Sequence, residues 1–117
     1  ALLRLKYYEM IAGGARYVRE VVLAPGTWGF GAAFDIGFSP DGAYAYVADG
    51  ANARIWVLRL ADLGILGWTL AVPQFEGEAN EPAWHRALHR MWVEPDGDIL
   101  LACTQCGYLR LKYLGVS

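Results

Sequence analysis

The sequence contains the same short turn twice, Pro-Asp-Gly at positions 40–42 and again at 95–97. Each copy lies between two segments rich in apolar residues, which predicts a strand, a tight turn and a second strand. Proline presets φ early in such a turn, and glycine accepts the positive φ near its end. Because the copies are about 55 residues apart, the spacing is typical of propellers and solenoids, whose units cannot bury a core alone.

A five-residue word, Leu-Arg-Leu-Lys-Tyr, stands at positions 3–7 and recurs unchanged at 109–113. The separation is about two units of similar length, so we expect the chain to end at the phase of the repeat in which it begins. Such a chain is either a piece of a longer protein or a protomer that completes a ring as a trimer. In a ring, the two identical strands would compete for the same position in one blade. This favours the interpretation that the chain is a piece of a longer protein.

The order of turns and apolar segments predicts propeller blades. Four short antiparallel strands, a crossing loop and the same pattern again are the anatomy of a blade. We therefore expect an all-β fold with about two four-stranded antiparallel blades. Residues 1–24 would end one blade, 30–70 would form a complete blade and 85–117 would begin the next. Strands are expected near residues 3–10, 16–24, 32–38, 43–48, 53–59, 64–70, 87–93, 98–103 and 108–114.

The composition excludes several classes of protein. A hydrophobic fraction of 56%, with five Trp and seven Tyr, excludes a disordered chain. The net charge of −2 and the lack of a basic run argue against nucleic acid or an anionic membrane as partners. No uncharged apolar stretch reaches the roughly 18 residues that a membrane-spanning helix requires.

The central unit resembles a blade of the NHL-repeat family of six-bladed β-propellers. The resemblance lies in Ala-Phe-Asp-Ile-Gly-Phe-Ser-Pro-Asp at 33–41 and Tyr-Val-Ala-Asp-Gly-Ala-Asn-Ala-Arg-Ile-Trp-Val-Leu at 46–58. His89 and the segment 93–99 are similar to the opening of a following blade. The resemblance implies a scaffold that binds a protein or small ligand, extended by further blades of the same protein or by other copies of the chain.

Four residues are expected to have structural roles at turns. The family usually has an acidic residue after the second strand of a blade and an arginine that opens the third. Asp49 and Arg54 fit this pattern, whereas Cys103 and Leu109 are expected at those places in the last unit. The carboxylates of the two Pro-Asp-Gly turns are expected to accept backbone N–H bonds. The four structural residues are Asp41, Asp49, Arg54 and Asp96.

A ligand site is expected at the mouth of the propeller channel. When the two units are aligned by their turns, His89 and Arg90 correspond to Phe34 and Asp35, on the innermost strand of each blade. By resemblance, propeller ligands bind at this lip. We favour His89 as a side chain packed between blades over a ligand-binding one, since histidine in an apolar strand is commonly structural. The candidate binding residues are Asp35, Trp84, His85, His89 and Arg90.

Two cysteines and two histidines make up a set of zinc-ligand types. Cys103 and Cys106 form a CxxC pair, and His85 and His89 lie upstream. The order is reversed relative to a zinc finger, and nothing requires the strands to converge. We favour two buried or turn thiols, and we expect no cofactor.

The preferred function is a ligand- or protein-binding scaffold without its own catalysis. The alternative is part of a metal-dependent propeller enzyme, similar to the peptidyl-α-hydroxyglycine lyases, which use channel histidines and zinc or calcium. Relatives of this kind are often exported, so the resemblance favours a periplasmic or secreted location. Whether the chain is part of an enzyme stays open, and the scaffold without catalysis is the favoured answer.

Overall fold

The computed structural model describes residues 3–23, 33–49, 54–70, 88–103 and 107–116. These residues form β-strands joined by turns and contain no helix, so the described chain has no helix that could cross a membrane. The all-β expectation is confirmed. The strands are β1 (Leu3–Ile11), β2 (Gly14–Leu23), β3 (Ala33–Phe38), β4 (Tyr44–Asp49), β5 (Arg54–Arg59), β6 (Ile65–Leu70), β7 (Leu88–Val93), β8 (Ile99–Cys103) and β9 (Gly107–Leu111).

The strands form three small antiparallel sheets. β1 and β2 form an N-terminal hairpin, β3 to β6 form a four-stranded central sheet, and β7 to β9 form a three-stranded C-terminal sheet. Within each sheet, every strand pairs with the next one along the chain. Three small meanders of this kind are compatible with a partial blade-like fold.

The two Pro-Asp-Gly turns have the same backbone hydrogen bond. Gly42 donates its N–H to the Ser39 carbonyl at 2.9 Å, and Gly97 donates to the Glu94 carbonyl at 2.9 Å. The φ angles of the two glycines are 74° and 96°. Because a side chain at that position would be strained, the turn explains why glycine stands there in both copies.

The aspartates of these turns also have the same role. Asp41 Oδ1 accepts the Ala43 N–H at 3.0 Å, and Asp96 Oδ1 accepts the Asp98 N–H at 3.0 Å. In the first turn the Ser39 hydroxyl also donates to Asp41, at 2.6 Å. These bonds lower the pKa of Asp41, and the bond from the Ser39 hydroxyl has the largest effect. Asp41 and Asp96 therefore shape the turns.

The first strand of each larger sheet has a bulge at the same place. The pairing of β3 with β4 skips Phe34, and the pairing of β7 with β8 skips His89. Consequently Asp35 and Arg90 occupy equivalent positions, opposite Ala48 and Ala102 respectively.

One face of the central sheet packs on the N-terminal hairpin. Its fully buried residues include Val47 and Leu58, and those of the hairpin include Leu23. Leu5 and Val21 of the hairpin complete this layer. Beyond it the hairpin extends into solvent, where Tyr8 and Tyr17 contact each other edge to face.

The other face of the central sheet packs on the C-terminal sheet. Ile55 and Ala48 of the central sheet and Leu101 of the C-terminal sheet are fully buried there. Complete burial of a residue such as Ile55 or Leu101 contributes about 1.5–3 kcal/mol. A central sheet covered on both faces explains why β4 is buried from Ala45 to Asp49 instead of alternating.

The two larger sheets face in the same direction along the stack. Phe38 pairs with Ala45 as Val93 pairs with Ile99, so β4 and β8 correspond residue by residue. Val47 of β4 and its counterpart Leu101 of β8 both point toward the preceding sheet. Each sheet therefore presents the same face backward, as successive blades do.

The repeated five-residue word does not occupy equivalent positions. Leu5, in the first copy, packs on the sheet that follows it, whereas Leu111, in the second copy, packs on the sheet that precedes it. Alternating Leu-Arg-Leu-Lys suits any strand with one buried face, so identity over such a short word does not determine the phase. The register also places Gly107, not Leu109, opposite Cys103, where Arg54 stands opposite Asp49 in the central sheet.

Two features of β3 bring the central and C-terminal sheets close together. Asp35 Oδ2 accepts the Met91 N–H from the neighbouring sheet at 2.7 Å. At Gly37, an added Cβ would lie 2.8 Å from Val93 Cγ2 and 3.2 Å from Met91 Sδ. There is thus no room for a side chain at Gly37, and the carboxylate of Asp35 determines the register of the contact.

We predict that Gly37→Ala destabilises the chain by about 1–3 kcal/mol, because the new methyl group pushes the sheets apart. Urea denaturation measures the free energy of unfolding. The cost should fall by at least half in a Val93→Ala background, where the clashing methyl is absent. Equal costs in the two backgrounds would mean that Gly37 does not face Val93.

Candidate functional site

A groove of about 480 Å³ begins between β3 and β7 and continues over the outer face of the C-terminal sheet. Asp35 lines the end between the sheets, and Arg90, Trp92 and Tyr108 line the part on the outer face. Two of the residues expected at the channel mouth, Asp35 and Arg90, therefore border one concave surface.

The strand register produces the shape of the groove. Arg90 lies opposite Ala102, which lies opposite Tyr108 on the third strand. Neighbouring strands are about 4.8 Å apart, so the backbones at Arg90 and Tyr108 are roughly 10 Å apart, with a small alanine between them. Trp92, opposite Leu100, closes the groove on the side toward the Pro-Asp-Gly turn.

The large side chains of this groove are exposed. Trp92 is 66% exposed and Tyr108 is 69% exposed. By register, Tyr108 corresponds to Ile55 of the central sheet, which is 0% exposed. The described residues thus bury the central sheet's face and leave the equivalent face of the C-terminal sheet open.

The two charged side chains of the groove, Asp35 and Arg90, differ in their hydrogen-bond and ion-pair partners. Asp35 accepts two backbone N–H groups, from Ile36 at 2.9 Å and from Met91 at 2.7 Å. Arg90 is exposed and forms no ion pair with any described residue. Asp35 therefore acts as a structural acceptor, whereas Arg90 has no ion-pair partner among the described residues.

A second cation on this face, Arg110, is held by neighbouring carboxylates. Its Nε donates to Asp98 Oδ2 at 3.0 Å, and its terminal nitrogen lies 3.5 Å from Asp96 Oδ2. Asp98 also accepts the Tyr113 N–H at 2.8 Å, and this bond, followed by that from Arg110, lowers the pKa of Asp98. β9 ends at Leu111, opposite Ile99, where its partner strand β8 begins, and not near residue 114 as expected.

Asp49 and Arg54 lie directly opposite each other in the central sheet, at the ends of their strands. Asp49 is 0% exposed and accepts the Trp56 indole N–H at 3.3 Å. The Arg54 guanidinium lies 4.1 Å from the ring centroid of Trp68. Both residues take part in the packing at this end of the sheet.

The remaining candidate residues lie apart from the groove or outside the described part of the chain. His89 is exposed in the bulge of β7, and Cys103 ends β8. Trp84, His85 and Cys106 lie outside the described residues, so neither the Cys2His2 zinc set nor the favoured pair of thiols is tested. Among the described residues, no three His, Cys, Asp or Glu side chains are arranged to hold a metal ion.

Sequence reasoning did not place Trp92, Ala102 and Tyr108 at a site. The available signal was the alignment of the two turns, which puts Trp92 against Gly37, a residue with no side chain. Tyr108 and Ala102 become neighbours of Arg90 only through the pairing of β8 with its two partners.

A second cleft, of about 480 Å³, lies between the central sheet and the segment that follows β9. Its lining is largely apolar and includes Ile55, Val57 and Tyr113. Tyr46 also lines it, and burial raises the pKa of its hydroxyl, which has no hydrogen-bond partner among the described residues. Thr69, Lys112 and Tyr113 add further polar groups to its lining.

No protein-family model matches this chain, and no curated protein or solved structure matches it significantly. The function therefore has to be argued from the chemistry of the site, because a fold alone does not define an activity. Within the described part of the chain, that chemistry is the guanidinium of Arg90, which forms no ion pair there, beside the exposed rings of Trp92 and Tyr108.

We predict that Asp98→Asn lowers the free energy of unfolding at neutral pH. The variant should also lose less of that free energy than the unmodified chain when the pH is lowered. The folded-state pKa of Asp98 lies below the ordinary value of 3.8, so the unfolded chain takes up the proton first as the pH falls. The stability due to this carboxylate is present above about pH 4 and is lost as the pH falls through the folded pKa.

The measurement is the urea midpoint at several values between about pH 7 and about pH 3. Arg110→Gln, which removes one partner of the carboxylate, should weaken the same acid dependence in part. If Asp98→Asn lost stability on acidification as steeply as the unmodified chain, Asp98 would not be held as described.

Proposed function

We propose that this chain is a non-catalytic binding scaffold, built from NHL-like propeller blades, that holds a protein segment or small ligand in the groove at Arg90. One observation carries the proposal: an exposed arginine without an ion pair among the described residues lies beside two exposed aromatic side chains, Trp92 and Tyr108, around a small residue. Arginine, tryptophan and tyrosine are the residues that most often dominate the energy of recognition surfaces.

The stacking of the sheets supports the blade-like part of the proposal. The central and C-terminal sheets have the same turn geometry, a bulge at the same place and the same face toward the preceding sheet. These features accompany the sequence resemblance to NHL blades at 33–41 and 46–58.

The use of the carboxylates supports binding over catalysis. Asp35 holds two sheets together, Asp49 accepts an indole N–H, and Asp98 holds Arg110 and the segment after β9. General acid–base chemistry needs a carboxylate that faces the ligand with its lone pairs accessible. In these three residues the lone pairs accept structural hydrogen bonds.

The enzyme alternative depends on His89 together with His85 and histidines of other blades. Elemental analysis of the purified protein tests it. Stoichiometric zinc or calcium that disappears in the His89→Ala variant would contradict a non-catalytic scaffold, whereas protein without such metal supports it.

We predict that small aromatic compounds bind at the groove. Two-dimensional NMR with p-cresol, benzamide and phenylacetate at millimolar concentration should shift the backbone amides of Arg90, Trp92, Ala102 and Tyr108. Trp92→Ala should abolish these shifts without unfolding the chain, because the side chain is 66% exposed. Tyr17→Ala, which removes an exposed ring of the hairpin, is the matched control and should leave them unchanged. Shifts located elsewhere, or none, would contradict the proposal.

A further inference from the structure

The open face of the C-terminal sheet differs from the face that it corresponds to in the central sheet. The central sheet contacts the C-terminal sheet at Asp35 and Gly37. By register, the same two positions in the C-terminal sheet are Arg90 and Trp92. An acceptor is replaced by a cation, and the smallest residue is replaced by the largest.

These replacements oppose a further sheet stacked in the same way. At Gly37 even a methyl group would come within 2.8 Å of the next sheet, so an indole at the corresponding place prevents that approach. Asp35 accepts a backbone N–H, whereas the guanidinium of Arg90 can only donate. The partner of this face therefore presents an acceptor to Arg90 and keeps its backbone farther away.

A carboxylate is the acceptor that suits Arg90. A planar guanidinium binds a carboxylate through two parallel hydrogen bonds, and no described carboxylate occupies that role. The rings of Trp92 and Tyr108 then suit an aromatic or aliphatic side chain next to the carboxylate.

The openness of the groove favours a peptide segment. Small ligands bind tightly where most of their surface is buried, but here the two rings are 66% and 69% exposed. An extended peptide covers an open face with alternate side chains and can span the roughly 10 Å between the outer strands.

A single-stranded nucleic acid fits less well, although aromatic rings on a sheet are a platform for bases. Tracking a phosphate backbone takes a series of cations. Here Arg110 is already paired with Asp98 and Asp96, and Asp35 borders the groove. The described face thus offers one guanidinium, enough for one carboxylate.

We propose that the groove binds an acidic segment of a partner protein, with a carboxylate side chain on Arg90 and a neighbouring aromatic or aliphatic side chain between Trp92 and Tyr108. The assignment rests on the proposed binding function and names its partner class. It predicts that the partner's acid and Arg90 act as a pair.

The test is a double-mutant cycle with two capped peptides, acetyl-Gly-Ser-Glu-Phe-Ser-Gly-amide and its counterpart with Gln in place of Glu. Affinities are measured by NMR titration of the full chain. The Gln peptide should bind about fivefold more weakly to the unmodified chain, and Arg90→Gln should weaken the Glu peptide by a similar factor. In Arg90→Gln the two peptides should bind alike. Arg16→Gln, an exposed hairpin arginine paired with Glu9, is the matched control and should preserve the difference.

Several results would overturn this assignment. Equal binding of the two peptides to the unmodified chain would remove the role of the carboxylate, and p-cresol shifts at the groove would then leave the scaffold proposal intact. Tighter binding of an oligothymidylate than of the Glu peptide would make the partner a nucleic acid. Self-association in light scattering that Trp92→Ala abolishes would make it a second copy. Absence of both peptide and p-cresol binding would contradict both proposals.

Discussion

The close contact of the central and C-terminal sheets is the constraint on which the rest of the structure depends. Burial of Ile55, Leu101 and their neighbours supplies most of the stabilisation of this contact, at about 1.5–3 kcal/mol for each such side chain. The single hydrogen bond from Met91 to Asp35 contributes about 1 kcal/mol or somewhat more, since it ends on a charged acceptor. Apolar burial therefore drives the sheets together. Their alignment is decided by two further features: the hydrogen bond from Met91 to Asp35, and the lack of a side chain at Gly37.

That alignment also determines where the candidate site lies. With Asp35 holding Met91, the β7 strand is fixed beside β3, and Arg90 stands at the edge of the contact with its guanidinium outward. The groove follows from the strand order and from the small size of Ala102. The groove thus combines a support fixed by the contact of the two sheets with side chains that the described residues leave exposed.

Much of the fold could be predicted from local signals. Apolar segments bounded by turn residues, among them the two Pro-Asp-Gly turns, indicated every described strand to within about two residues, except the end of β9. That end lies opposite Ile99, the first residue of the partner strand β8, and the local pattern of β9 does not show where its partner begins. The repeated five-residue word misled, because alternation determines that a strand has a buried face but not which neighbour covers it.

Less of the site could be predicted. Aligning the two turns in the sequence paired Asp35 with Arg90, and both residues line the groove. The alignment holds in the structure because β3 and β7 have a bulge at the same place. It could not distinguish their roles: whether a carboxylate faces a ligand or a neighbouring backbone depends on the distance between sheets. Trp92 follows Arg90 on the same strand, where the alignment with Gly37 was the available signal, whereas Tyr108 joins the groove only through strand pairing.

Amide hydrogen exchange at Met91 tests the central contact most directly. Its N–H should be protected in the unmodified chain and should exchange at least tenfold faster in Asp35→Ala, while the amides of β8 keep their protection. A Met91 amide that exchanges freely in the unmodified chain, or one that Asp35→Ala leaves unchanged, would contradict the alignment of the two sheets described above.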